Sequence, residues 1–361
     1  MGMEMVVSWG LALVPVLVLT LVFTWLDVFK LMSRWELLTL LVLGGLVAGI
    51  AYPISGAFLD TLPIGFNLYS RFVAPWIEEA LKAGVIITLF RFNRIGIKLD
   101  AVITGFAVGA GFSVVENILY LLRFENLSPI VWMVRGLGTA IMHGTTMAIL
   151  AAIAQEFAEK NLHAAARDFR FNPLWFVPGF LVAVAIHTIF NQFPGQPLLA
   201  MLGTLVLAPI ALIGIFQFGT KEADEWLAKE EEQHRALVDV LQSGRFPDTP
   251  EWRKVAELGE RMGPDGKSLI RDYVTVLSQL ILSGETKLLN KTEDKAVADD
   301  NGLSEKFDRL SELQRRLGKA TLSALTAMLP FSRNDYWELK ELREDVKAGR
   351  KSRPAPLPDV N

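Results

Sequence analysis

The chain has 361 residues, of which 51% are hydrophobic, 36 are Lys or Arg and 39 are Asp or Glu, so its net charge is −3. So apolar a composition is unusual for a soluble enzyme and indicates a membrane protein, and the small net charge argues against nucleic acid as a partner. The chain contains no cysteine, which excludes disulfides, thiolate nucleophiles and cysteine-based metal sites.

The charged residues are unevenly distributed along the chain. Only 12 Lys or Arg and 12 Asp or Glu precede residue 221, whereas the remaining 141 residues hold 24 and 27. We therefore predict a transmembrane, protease-like domain over 1–219, a cytoplasmic helical region over 220–346, and a disordered tail over 347–361.

Seven segments of the first region approach the roughly 20 apolar residues that a membrane-spanning helix requires. These segments are 7–26, 36–55, 72–92, 100–122, 130–154, 174–193 and 198–218. The predicted fold is all-α, a polytopic transmembrane helix bundle of about seven spans surrounded by membrane lipid.

The basic residues between the spans concentrate in alternate loops, the first, third and fifth. These residues are Lys30, Arg34, Arg91, Arg94, Lys98, Lys160, Arg167 and Arg170. Because basic loops stay on the cytoplasmic side, we predict an outside N-terminus and a cytoplasmic C-terminal region at the plasma membrane.

Two pairs of glycines are spaced four residues apart within predicted spans. Gly45 and Gly49 lie in the second span, and Gly105 and Gly109 lie in the fourth. Such spacing lets helix backbones approach closely in lipid, so these two spans should pack tightly in the bundle.

The C-terminal region has the pattern of amphipathic helices separated by polar breaks. We predict helices over 221–243, 250–262, 267–283, 304–329 and 334–347, and a mobile polar stretch over 287–302. No catalytic motif is visible there, so we expect a helical bundle that serves regulation or binds a cytoplasmic partner.

Ionisable side chains inside a bilayer cost about 2.5–3.5 kcal/mol each, so they persist mainly when paired or functional. Four predicted spans nevertheless carry such groups or carboxamides. They are Glu78, Glu79 and Lys82 in the third, Glu116 and Asn117 in the fourth, His143 in the fifth, and His187 and Asn191 in the sixth.

These groups share a depth in the membrane. At 1.5 Å of rise per residue, Glu79, Glu116 and His187 come out about 9–11 Å below the outer ends of their spans. His143 joins this layer if Arg135 marks the membrane interface and extends outward. Each group also has a structural explanation, such as helix-start acids after Pro75, but one shared layer on four helices favours a site.

The residue types suit hydrolysis, which needs water, a base and donors for the oxyanion. Glu78 or Glu79 can act as the base, and Lys82 can keep one of them ionised. Two imidazoles and a carboxylate form a catalytic zinc set, here His143, His187 and Glu116. Metal-assisted and glutamate-only versions remain alternatives. Asn191 can donate to the oxyanion or orient His187, with Asn117 in support.

The order of these motifs resembles the PrsW family of intramembrane proteases. The matching residues are Glu78-Glu79-x-x-Lys82, Phe112-x-x-x-Glu116-Asn117, His143 and His187-x-x-x-Asn191, on successive spans of residues 1–218. The family is similar to the CAAX prenyl protease and bacteriocin-processing group, in which a His takes the place of Glu116.

The resemblance implies roles for these residues and a class of substrate. It implies that Glu78 and Glu79 are the catalytic pair and that His187 and Asn191 form the last motif. It further implies cleavage of a membrane-tethered, single-span protein, with an anti-sigma factor cut on the outer side as the known role. The long C-terminal region departs from the family pattern.

Two other classes of protein fit the polar layer. Glu, Lys and His in spans suit a proton-coupled transporter, although the chain shows no similar halves and no broken-helix pair at midplane. A non-catalytic membrane scaffold of the same fold would carry the same residues. Loss of cleavage, of ion-dependent flux or of partner binding on mutation distinguishes the three.

Overall fold

The computed structural model describes residues 3–25, 34–124, 127–164, 171–193, 196–292 and 300–352, and these residues form helices without strands. The chain divides into two compact units. The first unit comprises Met1–Asn161 and Phe171–Glu222, and the second comprises Leu162–Arg170 and Ala223–Asn361.

The first unit contains the apolar helices. They are α1 (Met3–Trp25), α2 (Arg34–Thr61), α3 (Phe66–Phe72), α4 (Ala74–Arg91), α5 (Lys98–Arg123), α6 (Pro129–Met133), α7 (Ala140–Ala164), α8 (Phe176–Phe190) and the start of α9 (Pro197–Gln242). A π-helical turn, Val134–Thr139, joins α6 to α7, and a 3₁₀ turn, Pro173–Trp175, precedes α8.

Six helical segments among the described residues are long and apolar enough to cross a membrane, which makes this a multi-pass membrane protein. They are Met5–Val22, Trp35–Thr61, Lys98–Arg123, Pro129–Ala158, Pro173–Phe190 and Pro197–Ile215. The remaining predicted span corresponds to α4, which forms as an 18-residue helix. It falls outside the six because it carries Glu78, Glu79, Lys82 and Arg91.

Helix α5 lies at the centre of the first unit, buried without interruption from Leu99 to Ser113. It packs against α1, α2 and α4, and its glycines permit close approach to α7. A Cβ on Gly105 or Gly109 would collide with the α7 backbone at Met147 and His143, respectively.

Gly45 and Gly49 of α2 differ in how closely a neighbouring helix approaches them. A Cβ on Gly45 would collide with the side chain of Val115 on α5. Gly49, which we expected to pack as Gly45 does, has no atom within 4 Å of its Cβ position. Close packing in this pair is therefore confined to Gly45.

Replacing Gly109 by Ala should destabilise the first unit by about 1–3 kcal/mol, because α7 backbone cannot move aside as a flexible side chain can. Gly49→Ala is the matched control and should be neutral or slightly stabilising, because Ala favours the helix over Gly. Thermal unfolding in detergent measures both. Equal stability of the two variants would contradict the close approach of α5 and α7.

The second unit contains the end of α9 with α10 (Pro250–Arg261), α11 (Gly266–Thr292), α12 (Asp300–Met328) and α13 (Arg333–Ser352). Apolar faces of these helices form its core, at residues such as Val255, Val274, Leu280, Leu313 and Leu325.

Several predicted boundaries differ from the structure. Segments 198–218 and 221–243 belong to the single helix α9, and α12 has a kink at Gly318, where φ is 75°. Helix α11 continues to Thr292, into the stretch predicted to be mobile, and α13 continues to Ser352 beyond the predicted end at 347. Residues 293–299 and 353–361 lie outside the described residues.

Candidate active site

Helix α4 places two adjacent acids one turn inside the helix. It begins at Ala74 with Pro75 in its first turn, a position that suits proline because the missing N–H is not needed there. Glu78 and Glu79 therefore lie in the second turn, and no acid occupies the first. The structural explanation of these residues as helix-start acids is thus wrong.

A fully buried ion pair lies at the centre of the cluster. Lys82 Nζ is 2.5 Å from Glu79 Oε1, and both side chains have 0% exposure. Lys82 Nζ also lies 2.7 Å from His143 Nδ1 on α7 and 4.6 Å from the ring centroid of Phe112 on α5. Glu79 Oε1 lies 2.7 Å from His187 Nδ1 on α8. Four helices thus meet at one pair of charges.

Glu116 of α5 has a cationic partner that the sequence did not indicate. Its Oε1 is 3.1 Å from Nη2 of Arg135, in the π-helical turn. The Arg135 guanidinium lies 3.5 Å from the ring centroid of Tyr120, an attractive cation–π geometry. The sequence placed His143 in the polar layer only if Arg135 extends outward to the membrane interface. In the structure the Arg135 side chain is 15% exposed and pairs with Glu116 instead.

The cluster is more exposed on one side than on the other. The side chains of Glu78 and Glu116 retain 15% and 17% exposure, whereas Glu79 and Lys82 have none. A small molecule or a peptide segment would therefore approach from the side of Glu78 and Glu116.

The partners of the two histidines assign their protons. Glu79 is ionised beside Lys82 and only accepts, so His187 donates from Nδ1 and keeps a lone pair on Nε2. Lys82 only donates, so His143 accepts at Nδ1 and carries its proton on Nε2. That N–H points to Glu116 Oε2 at 3.3 Å. The two rings lie edge to face, 4.8 Å apart.

Three residues could hold a metal ion, namely Glu78, His143 and His187, each offering one ligand atom within 4.8 Å of the others. The carboxylate of this trio is Glu78, whereas the predicted carboxylate, Glu116, contacts one member of the trio through its Oε2, 3.3 Å from His143 Nε2.

The residues of the trio fit a metal. Glu78 Oε2 is buried without a protein partner, and His187 Nε2 is free to ligate. Metal binding through His143 Nε2 would require the ring proton to move from Nε2 to Nδ1, which gives up the hydrogen bonds to Glu116 and from Lys82.

The side chains of the two carboxamides, Asn117 and Asn191, donate to backbone carbonyl oxygens. Asn117 Nδ2 donates to the carbonyl oxygens of Ala12 and Arg135, at 2.9 and 3.2 Å, so its support consists of tying α1 to the π-helical turn. Asn191 Nδ2 donates to the Ser70 carbonyl oxygen at 2.8 Å, which ties the end of α8 to α3. In the structure Asn191 therefore makes a packing contact between helices, and its donation to the oxyanion stays a prediction.

Sequence reasoning missed Arg135 and Tyr120 as members of the site. The signal for Arg135 was its place within an apolar segment, which is a costly position for a charge unless the charge is paired. The Arg135 side chain projects from a π-helical turn. Such turns are frequent at functional sites, but no residue pattern in the sequence marks this one.

A known protein family matches the part of the chain that carries this cluster. Residues 32–215 match the model of the PrsW family intramembrane metalloprotease, just over half of the chain. The chain belongs to the PrsW family. Comparisons with curated proteins and with solved structures gave no significant match.

Membership of the PrsW family supports a membrane-embedded protease, a hydrolase of the metallo type. The matched residues include every member of the buried cluster, from Glu78 on α4 to His187 on α8. Helices α10–α13 lie beyond the match, so the family says nothing of their role.

Proposed function

We propose that the chain hydrolyses a peptide bond of a membrane-tethered, single-span protein at the cluster of Glu78, Glu79, His143 and His187. The observation that carries this proposal is the shared contact of Glu79 with Lys82 and His187, because it joins an ionised carboxylate to an imidazole whose second nitrogen is free.

Glu79 is the proton acceptor in this proposal. Its Oε1 is occupied by Lys82 and His187, while its Oε2 is buried without a protein partner. Water is the natural partner of such an oxygen. As the water attacks the scissile carbonyl, Glu79 accepts its proton. The peptide C–N bond then breaks, and that proton passes to the leaving amine.

Glu78, His143 and His187 would hold the metal ion of the family, for which zinc suits the donor set. When bound, it supplies Lewis-acid polarisation of the scissile carbonyl. Glu79 orients the His187 ring through Nδ1, as carboxylates commonly do for metal-binding histidines. The glutamate-only alternative uses the same side chains and differs by holding no metal.

The proposal also covers the topology of the chain in the membrane and the class of its substrate. The loop charges support an arrangement of seven spans, including α4, in a plasma membrane. The N-terminus would lie outside and the second unit on the cytoplasmic side. The polar layer would then lie near the outer face, which suits a substrate such as an anti-sigma factor. The spacing His187-x-x-x-Asn191 supports kinship with the CAAX prenyl protease group.

His187→Ala tests the proposed function. The purified protein and a single-span substrate are placed together in lipid vesicles, and cleavage products are identified by mass spectrometry. We expect the variant to lose cleavage, since it removes both a metal ligand and a partner of Glu79. Asp60→Asn, an exposed acid on α2, is the control. A scaffold would keep partner binding in the variant, and a transporter would lose ion-dependent flux instead.

A further inference from the structure

A second cluster of buried ionisable groups lies within the second unit, where the family match does not extend. It joins His234 of α9, Glu285 of α11, and Asp335 and Glu338 of α13. The three acids have at most 1% exposure, and His234 has 9%. Amphipathic helices usually direct such residues to solvent, so their burial here needs a reason.

Three of these residues are arranged as ligands. His234 Nδ1 lies 2.6 Å from Glu285 Oε1, and His234 Nε2 lies 3.9 Å from Asp335 Oδ2. One ligand atom from each lies within 4.8 Å of the others. Glu338 follows Asp335 by three residues on the same helix, and its Cβ is 3.4 Å from the position of a Cβ on Gly284, next to Glu285.

Several carboxylate oxygens of this cluster are buried without a hydrogen-bond partner. They are Glu285 Oε2, Asp335 Oδ1 and both oxygens of Glu338. An ionised carboxylate left unpartnered away from water is very costly, and Glu338 is the extreme case because neither of its oxygens is satisfied. A cation bound among these oxygens would remove this cost.

The part of the chain that the structure describes supplies little positive charge to this cluster. The ion pairs of Glu285 and Asp335 within the described residues are both with His234. One imidazole cannot balance three buried carboxylates, whereas a bound divalent cation would.

We propose that His234, Glu285, Asp335 and Glu338 form a second metal site, which binds a divalent first-row transition-metal ion such as Zn²⁺ or Mn²⁺. One imidazole with several carboxylates and no thiolate suits such ions. Mg²⁺ fits less well, because it favours oxygen ligands only and retains water. Since the ligands come from α9, α11 and α13, the ion stabilises the helical unit by joining three of its helices.

Glu338→Gln tests the second site in the full chain. The substitution is nearly isosteric, and it leaves no hydrogen-bond partner unsatisfied because Glu338 has none. Protein carrying His187→Ala, so that the site in the spans contributes least, is stripped with a chelator and reloaded with Zn²⁺ or Mn²⁺ alone. Bound metal per chain is measured by mass spectrometry. We expect about one ion per chain, and affinity about 10- to 100-fold lower with Glu338→Gln.

Two further variants complete the test. His234→Gln removes the imidazole ligand and should weaken binding equally. Asp345→Asn, on the same helix but paired with Lys287 and 49% exposed, should leave binding unchanged. At one metal concentration, the unfolding temperature should rise more for the parent than for Glu338→Gln. Equal metal binding by Glu338→Gln, His234→Gln and the parent would overturn the proposal, as would a parent that binds none.

Discussion

Replacing Glu79 by Gln is expected to reduce cleavage about 10²- to 10⁴-fold, the usual contribution of a general base. The amide retains an oxygen that can accept from Lys82 and His187, so the helices stay joined. It cannot take the proton of the attacking water. The loss should therefore appear in the rate of cleavage per folded molecule in vesicles. Because Lys82 then keeps its buried charge without a counter-ion, the yield of folded protein should fall as well, so activity is compared at equal amounts of folded protein.

The control for Glu79→Gln is its metal content. Glu79 lies outside the trio of Glu78, His143 and His187, so the variant should keep its bound metal while losing activity. A variant that cleaves at the wild-type rate would show that Glu79 is not the base and would return that role to Glu78.

Replacing Lys82 by Met is expected to destabilise the first unit by about 3–5 kcal/mol, the cost of removing one partner from a buried ion pair. Glu79 would keep its charge at 0% exposure with only the hydrogen bond from the neutral His187 ring to stabilise it, and His143 would lose the donor to its Nδ1. Thermal unfolding in detergent and the yield of folded protein measure this loss.

The double variant with Glu79→Gln and Lys82→Met distinguishes stability from catalysis. Because it removes both charges together, it should recover much of the stability lost in Lys82→Met. It should remain inactive, since the base is absent. If the double variant were less stable than Lys82→Met alone, the ion pair would not be the interaction that holds these helices.

That these polar side chains share a region of the bundle was predictable from the sequence, because the signals are local, whereas their common depth in the membrane stays a prediction. A charge inside an apolar run is conspicuous at Glu79, Glu116 and His187, and helical rise converts sequence position into depth. The structure joins these side chains through His143 and Lys82. The same charges keep α4 outside the purely apolar spans, so the full span count cannot be read from composition.

The direction in which each side chain points around its helix axis could not be predicted in the same way. Glu78 and Glu116 are both acids within predicted spans, and which one completes a trio with the histidines depends on how α4, α5 and α7 rotate against one another. The inward turn of Arg135 likewise belongs to a π-helical segment, which no residue pattern marks. Long-range packing decides both features, so they emerge only from the structure.

The acids of the second unit illustrate a different limit. Glu285 and Glu338 lie on amphipathic helices that carry many other charged residues, so nothing in the sequence singled them out as buried. Burial arises because α11 and α13 pack directly, with Gly284 facing Glu338. Charge pattern alone cannot show which acids of an amphipathic helix meet another helix.

The most direct test of a shared pocket among α4, α7 and α8 is the metal bound by purified protein. Glu338→Gln serves as the parent, which minimises any contribution from the second unit, and His143→Ala and His187→Ala are compared with it. The parent should hold bound metal, and each histidine variant should lose it, since one ion needs both imidazoles. Retention of the metal by both variants, or a parent without any, would contradict the assignment.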